Sequence, residues 1–259
     1  MYVRILLGLS ILPVFLIILF MYNKDKDKEP TGLLVKLFIG GVGSCILVMI
    51  ISGLLKSIFP FFASDFKNMN LLQLIIYAFI FIALVEESCK WIMAYKISYN
   101  HKEFDQFYDM ILYCVIVALG FACFENIFYV LSGGISTGIA RAFSAVPGHA
   151  ADGVMMGYYL GLAKIGSLNG RKDLKNKYMA LSIIAPTFFH GFYDYCLFTG
   201  RVIFVYIFYI FVICFFIHVF KKVNKISSIN GNIIKKKYCT SCGHEVNSNF
   251  CPRCGKQCN

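Results

Sequence analysis

The sequence predicts an all-α polytopic membrane protein with about seven transmembrane helices, followed by a small zinc-ribbon module. Three observations predict it. Of 259 residues, 58% are hydrophobic and 15% charged, with mean hydropathy +0.68, more apolar side chain than a soluble core of this size could bury. The apolar residues come in runs long enough to cross a bilayer. Two Cys-x2-Cys pairs close the chain, in the spacing of a structural zinc site. Soluble globular, collagen-like, disordered and small disulfide-stapled classes are excluded, since Phe (26) and Tyr (16) are abundant within the apolar runs. The net charge of +11 reads as membrane orientation rather than nucleic-acid binding, because the lysines sit between apolar runs and in the tail.

Seven spans are expected, at 2–22, 33–59, 71–97, 107–131, 139–165, 178–199 and 201–220. The first is read as retained, because its apolar run exceeds a signal core and no small-residue cleavage site precedes the charged stretch Lys24–Pro30. Residues 1–222 form the membrane domain, 223–237 a flexible basic linker, and 238–259 the ribbon. Lys24, Lys26, Lys28, Lys96, Lys102, Lys164, Arg171, Lys172, Lys175, Lys177 and the linker lysines fall in one set of alternating loops. The other set holds only Arg4, Lys56, Lys67, Arg141 and Arg201. The positive-inside rule then places a multi-pass protein in the cell membrane, with its amino terminus outside and its carboxyl terminus in the cytoplasm.

The eleven cysteines divide into two groups. Cys45, Cys89, Cys114, Cys123, Cys196 and Cys214 lie in apolar spans, where a free thiol behaves as a small hydrophobe. Cys239, Cys242, Cys251 and Cys254 form two knuckles, each followed by glycine, that can aim four thiolates at one tetrahedral zinc. Cys258 is left over. A cytoplasmic location disfavours two disulfides. So short a module has almost no core, so zinc must supply most of its folding free energy. Four thiolates leave no open metal position, so the ribbon suits recognition of a cytosolic partner rather than chemistry. His244 inside it reads as a spare donor, and His101 and His218 as loop and interfacial residues.

Glu86, Glu87, Glu125, Asp152 and Asp194, with His149, His190 and Lys90, fall inside expected spans. Each charge at a helix centre costs roughly 2.5–3.5 kcal/mol on insertion scales, so these groups must face one another, water or a metal. Lys90 stands i,i+4 from Glu86 and i,i+3 from Glu87. Phe121, Glu125 and Tyr129 share a stripe with Asn126 beside it. His149 precedes Asp152 and follows Pro147, which is expected to kink its helix, and His190 and Asp194 are i,i+4. By helical rise, Glu86 lies about 17 Å and Glu125 about 27 Å from the cytoplasmic side, so Glu125 is the outlying member. The set suits hydrolysis: Glu86 or Glu87 as general base, His149, His190 and Glu125 as ligands of a divalent metal such as zinc, Asp194 orienting a ring, and Asn126 or Tyr129 donating to the oxyanion.

Glu86-Glu87-x2-Lys90, Phe121-x3-Glu125-x3-Tyr129 and His190-x3-Asp194, in that order on successive spans, resemble the signature of PrsW-type intramembrane proteases, relatives of the CAAX-processing and bacteriocin-immunity endopeptidases. The resemblance covers about residues 70–200. It implies cleavage of a single-pass membrane substrate, typically an anti-sigma factor, as the first cut of a proteolytic cascade. It makes Glu86, Glu87 and His190 the prime catalytic candidates, with Glu125 and Asp194 supporting, and leaves open metal-dependent and glutamic-type chemistry. The ribbon is not demanded by the family pattern. Two other classes fit the buried charges: a proton- or ion-coupled carrier, although no inverted repeat is visible, and a non-catalytic scaffold that recruits a partner through the ribbon.

Overall fold

A computed structural model describes residues 1–59 and 66–229, and beyond them 231, 233, 237–239, 241–242, 245–246 and 250–256. The protein is nearly all helical. In chain order come α1 (Tyr2–Lys24), α2 (Thr31–Ile58), α3 (Leu71–Ile76), a π-helical segment (Tyr77–Leu84), α4 (Val85–Ser98), α5 (Phe107–Phe143), α6 (Ala145–Leu168), α7 (Lys172–Phe198) and α8 (Val202–Ile229). A two-stranded antiparallel pair, β1 (Lys237–Tyr238) and β2 (Glu245–Val246), follows. Among the described residues, five stretches are long and apolar enough to cross a membrane: Tyr2–Lys24, Thr31–Ile58, Leu71–Ser98, Phe107–Leu168 and Val202–Ser228. That is fewer than the seven expected. The 62-residue stretch Phe107–Leu168 holds both α5 and α6, and α7 drops out because Thr187, His190 and Asp194 dilute its apolar character.

α5 is the central post. Tyr108 through Ala122 are all buried, as expected for a helix that is apolar on every side. It packs on α1, α2, α4 and α6, while α7 and α8 close the far side of α6. α5 and α6 meet backbone to backbone at Gly157, where an added Cβ would lie 2.5 Å from Ile111 Cα and Met110 O. Outward-facing Leu12, Phe15, Met49, Ile50, Ile210 and Ile213 are exposed, an apolar belt that suits lipid and not water.

Three expectations are corrected. α5 runs to Phe143 instead of ending near 131, and it is broken at Gly134, whose φ of 77° is a conformation that glycine adopts without a Cβ clash. α6 starts at Ala145, which leaves Pro147 in its first turn, where a missing N–H costs nothing, so Pro147 does not kink the helix. α8 continues to Ile229, so the first residues of the expected flexible linker are helical and Val223 is buried.

The lysine-rich loops gather at one end of the bundle. Lys26 Nζ donates to Ser228 O (2.9 Å), Lys164 Nζ to Tyr99 O (2.9 Å) and Ile233 N–H to Asp105 O (2.8 Å). Glu29, in the α1–α2 connection, accepts from Tyr113 Oη (2.6 Å) and is buried, and that burial pushes its carboxyl up to about 7. A carboxyl raised on folding binds more protons in the native state than in the unfolded chain between its two pKa values, so stability is present at low pH and is lost as pH rises from about 4.5 through 7. Glu29→Gln should flatten this slope, raising thermal stability relative to the parent at pH 8 and leaving it unchanged at pH 4. Thermal melts in detergent across that range check it.

Candidate active site

The π-helical segment directly precedes α4, and its wider turn sets the face that α4 presents to the interior. Glu87 and Lys90 are fully buried and Glu86 nearly so. Lys90 Nζ donates to Glu87 Oε1 (2.7 Å), to Glu86 Oε2 (3.4 Å) and to His149 Nδ1 (3.2 Å), and lies 4.0 Å from the centre of the Phe121 ring. His190, from α7, places Nδ1 2.8 Å from Glu87 Oε1, and its Nε2 stands 3.5 Å from Asp194 Oδ2 and 3.8 Å from Glu86 Oε2. His149, from α6, places Nε2 3.1 Å from Glu125 Oε2. Four helices therefore contribute to one connected row: Asp194, His190, Glu87, Lys90, His149 and Glu125. Glu125 joins, although its expected depth made it the outlier, because His149 bridges it to Lys90.

Glu86, Glu87, His149 and His190 are all buried, and each offers a ligand atom within 4.8 Å of the others, a donor set of two imidazoles and two carboxylates that suits a zinc-like cation. Glu125, expected as a ligand, is outside this group. Its Oε2 is taken by His149 Nε2 and by Arg141 Nη2 (2.6 Å). Asn126, expected as an oxyanion donor, is also committed: Nδ2 donates to Ser10 O of α1 (3.0 Å) and Oδ1 accepts from Arg141 Nε (2.7 Å). Tyr129 is half-exposed and carries the Arg141 guanidinium 4.1 Å above its ring. Arg141, a loop charge by its place in the sequence, is thus a member of the site. Gly133-Gly134, lying between Glu125 and Arg141 in the chain, is the one signal of the fold-back that delivers it.

A cavity of about 700 Å³ adjoins the row, between α6, α7, α8 and the part of α5 beyond Gly134. Glu86, Glu125, His149, Asp152, His190 and Asp194 line its polar side, and Phe208, Phe211, Val212 and Phe215 of α8 its apolar side. Glu87 is behind this wall. Asp152, on α6, is buried with Oδ1 unpartnered among the described residues.

The ribbon cysteines also meet. Cys239 Sγ lies 3.5 Å from Cys254 Sγ, and Cys242 Sγ 3.5 Å from Cys251 Sγ, with all four within 4.8 Å. These separations are far too long for disulfides and close to the edge of about 3.8 Å of a tetrahedron of four sulfurs around zinc with bonds of about 2.3 Å. The N–H groups of Ser241 and Cys242 point at Cys239 and hold its thiol down at about 6, so a thiolate is available near neutral pH. His244 and Cys258 lie outside the described residues.

Fold and site together define a polytopic membrane protein with a carboxylate–imidazole centre among its helices and a four-cysteine cluster beyond them. The chain matches the model of the PrsW family intramembrane metalloproteases over residues 29–219. It is 36% identical to Protease PrsW of Oceanobacillus iheyensis over 192 residues, covering 74% of this chain and 82% of that protein. It is 33% identical to Protease PrsW of Bacillus subtilis (74% and 82%) and 29% identical to that of Clostridioides difficile (73% and 77%). No solved structure matches it. The chain belongs to the PrsW family of intramembrane proteases.

Lys90→Met should cost about 3–5 kcal/mol, because it strands two buried carboxylates without their cation. Loss of the folded species on heating, compared with the parent in the same detergent, measures this. A drop no larger than that of a surface Lys→Met control would refute the assigned role of Lys90.

Proposed function

We propose that this protease hydrolyses a peptide bond in a single-pass membrane protein of the anti-sigma-factor type, with Glu86 as the carboxylate that takes a proton from the attacking water. The observation that carries the assignment is the position of Glu86: it alone of the Glu86–Glu87 pair lines the cavity, while Glu87 sits behind it holding Lys90 and His190. The apolar wall of α8 suits an extended hydrophobic segment of substrate laid against the polar side, and the substrate class rests on the family resemblance. His190 and Asp194 stand where a proton can pass to the leaving amine, since His190 Nε2 and Asp194 are both on the cavity side. The lysine-rich end of the bundle faces the cytoplasm in this reading, with the amino terminus outside and the ribbon available to a cytosolic partner.

The donor set fits a metal, which Glu87, His149 and His190 would hold with Glu86 beside it as the base; when bound it would act as a Lewis acid toward water and the substrate carbonyl. One observation favours a second, metal-free reading: Lys90 Nζ already lies within 3.4 Å of atoms of Glu86, Glu87 and His149, three of the four donors. An ammonium there supplies the positive charge from the chain itself.

Glu86→Gln should leave folded protein at parental levels and abolish cleavage of a co-expressed single-pass substrate; cleavage at the parental rate would sink the assignment. Metal is best counted in a chain with all four ribbon cysteines changed to serine, since the ribbon alone should carry one zinc. Retention of metal by that chain, lost on His149→Gln or His190→Gln, selects the metal reading, and a metal-free active enzyme selects the other.

A further inference from the structure

Arg141 is sixteen residues past Glu125 on the same helix, yet their side chains touch. The break at Gly134 folds the last segment of α5 back along the first. The guanidinium then commits one donor to Glu125 Oε2 (Nη2, 2.6 Å) and one to Asn126 Oδ1 (Nε, 2.7 Å), and stacks on Tyr129. Asn126 is itself anchored on Ser10 O of α1. The side chain is only 15% exposed and borders the cavity.

The consequence runs through Glu125 to His149. An ammonium carries only donors, so His149 Nδ1 accepts from Lys90 Nζ. The ring proton is then on Nε2, where it donates to Glu125 Oε2, the same oxygen that Arg141 holds. Two fixed cations thus define the tautomer and the angle of one imidazole, Lys90 directly and Arg141 through a carboxylate, the arrangement by which a supporting acid orients a functional histidine.

We propose that Arg141 is a positioning residue, which by fixing Glu125 holds His149 as the Nε2–H tautomer with Nδ1 aimed into the Glu86–Glu87–Lys90 cluster, and that hydrolysis needs this orientation. The kinetic half of the proposal rests on the protease reading; the tautomer half does not.

Full-length chain labelled with ¹⁵N-histidine in detergent should show His149, assigned by its loss in His149→Gln, as a single Nε2–H species. Arg141→Ala should replace that signature with mixed or inverted tautomers. With a single-pass substrate, Arg141→Ala should lose about 10–100-fold in kcat with KM little changed, as when a supporting partner of a functional histidine is removed. Arg141→Lys should recover part of the loss, and added guanidinium should restore Arg141→Ala further. A helix staple with no positioning role would instead lower the amount of folded enzyme and leave its kcat and tautomer as in the parent, and that result overturns the proposal. If Arg141→Ala does not fold, Arg141→Met, which keeps the stem and loses every donor to Glu125 and Asn126, carries the test: a parental kcat together with a parental tautomer signature overturns it. If the parent cleaves nothing, the protease reading falls, and the tautomer comparison still decides whether Arg141 sets His149.

Discussion

An ammonium at membrane depth persists only while its neighbours supply negative charge, lone pairs or π density, and Lys90 meets all three. Glu86, Glu87, His149 and the face of Phe121 surround it, contributed by α4, α5 and α6. Insertion scales make each unpaired charge expensive, so the helices that carry these groups cannot drift apart without leaving an uncompensated ion in hydrocarbon. Glu87 passes the constraint to His190 and α7, and His149 passes it to Glu125 and Arg141. The proposed catalytic centre and the set that ties the helices together are therefore the same side chains.

Backbone irregularities put that set in place. A π-helical segment precedes the Glu86–Glu87 pair, a left-handed glycine at 134 folds α5 back on itself, and a glycine at 157 lets α6 lie directly on α5. The first leads into the Glu86–Glu87 pair, the second brings Arg141 onto Glu125, and the third seats α6 on the buried part of α5. Departures from ideal helix geometry are tolerated at membrane depth where protein or a water-filled cavity covers the freed backbone groups. The cavity between α6, α7, α8 and the folded-back part of α5 sets an apolar wall of aromatic side chains opposite carboxylates and imidazoles.

The ribbon stands apart from this logic. The family match ends at residue 219, and the four thiols answer to the metal chemistry of cysteine rather than to the bilayer. Yet the approach to it is not free of the bundle: α8 runs on to Ile229, Lys26 holds Ser228, and Ile233 is bonded to the backbone of Asp105. The end of α8 and Ile233 thus lie at the lysine-rich end of the helices, where the buried Glu29 also sits.

The membrane class, the three polar motifs and the zinc knuckles were legible in the amino-acid order, because each depends on composition or on spacing within a single helix or turn. The convergence of Glu86, Lys90, His149 and His190 was legible for an energetic reason: apolar runs leave ionisable groups nowhere to go except toward one another. What the order did not show was partnership across helices. Glu125 was expected on a metal and is held by Arg141; Asn126 was expected to face substrate and is tied to Ser10; Pro147 was expected to kink a helix and merely starts one. Which of two adjacent glutamates reaches the cavity follows from the face that α4 turns inward after the π-helical segment, and Arg141 enters only through the fold-back at Gly134. The order of residues dictates which groups must be neutralised, since that cost arises residue by residue, whereas tertiary structure chooses who neutralises whom, since that depends on backbone approach between segments distant in the chain.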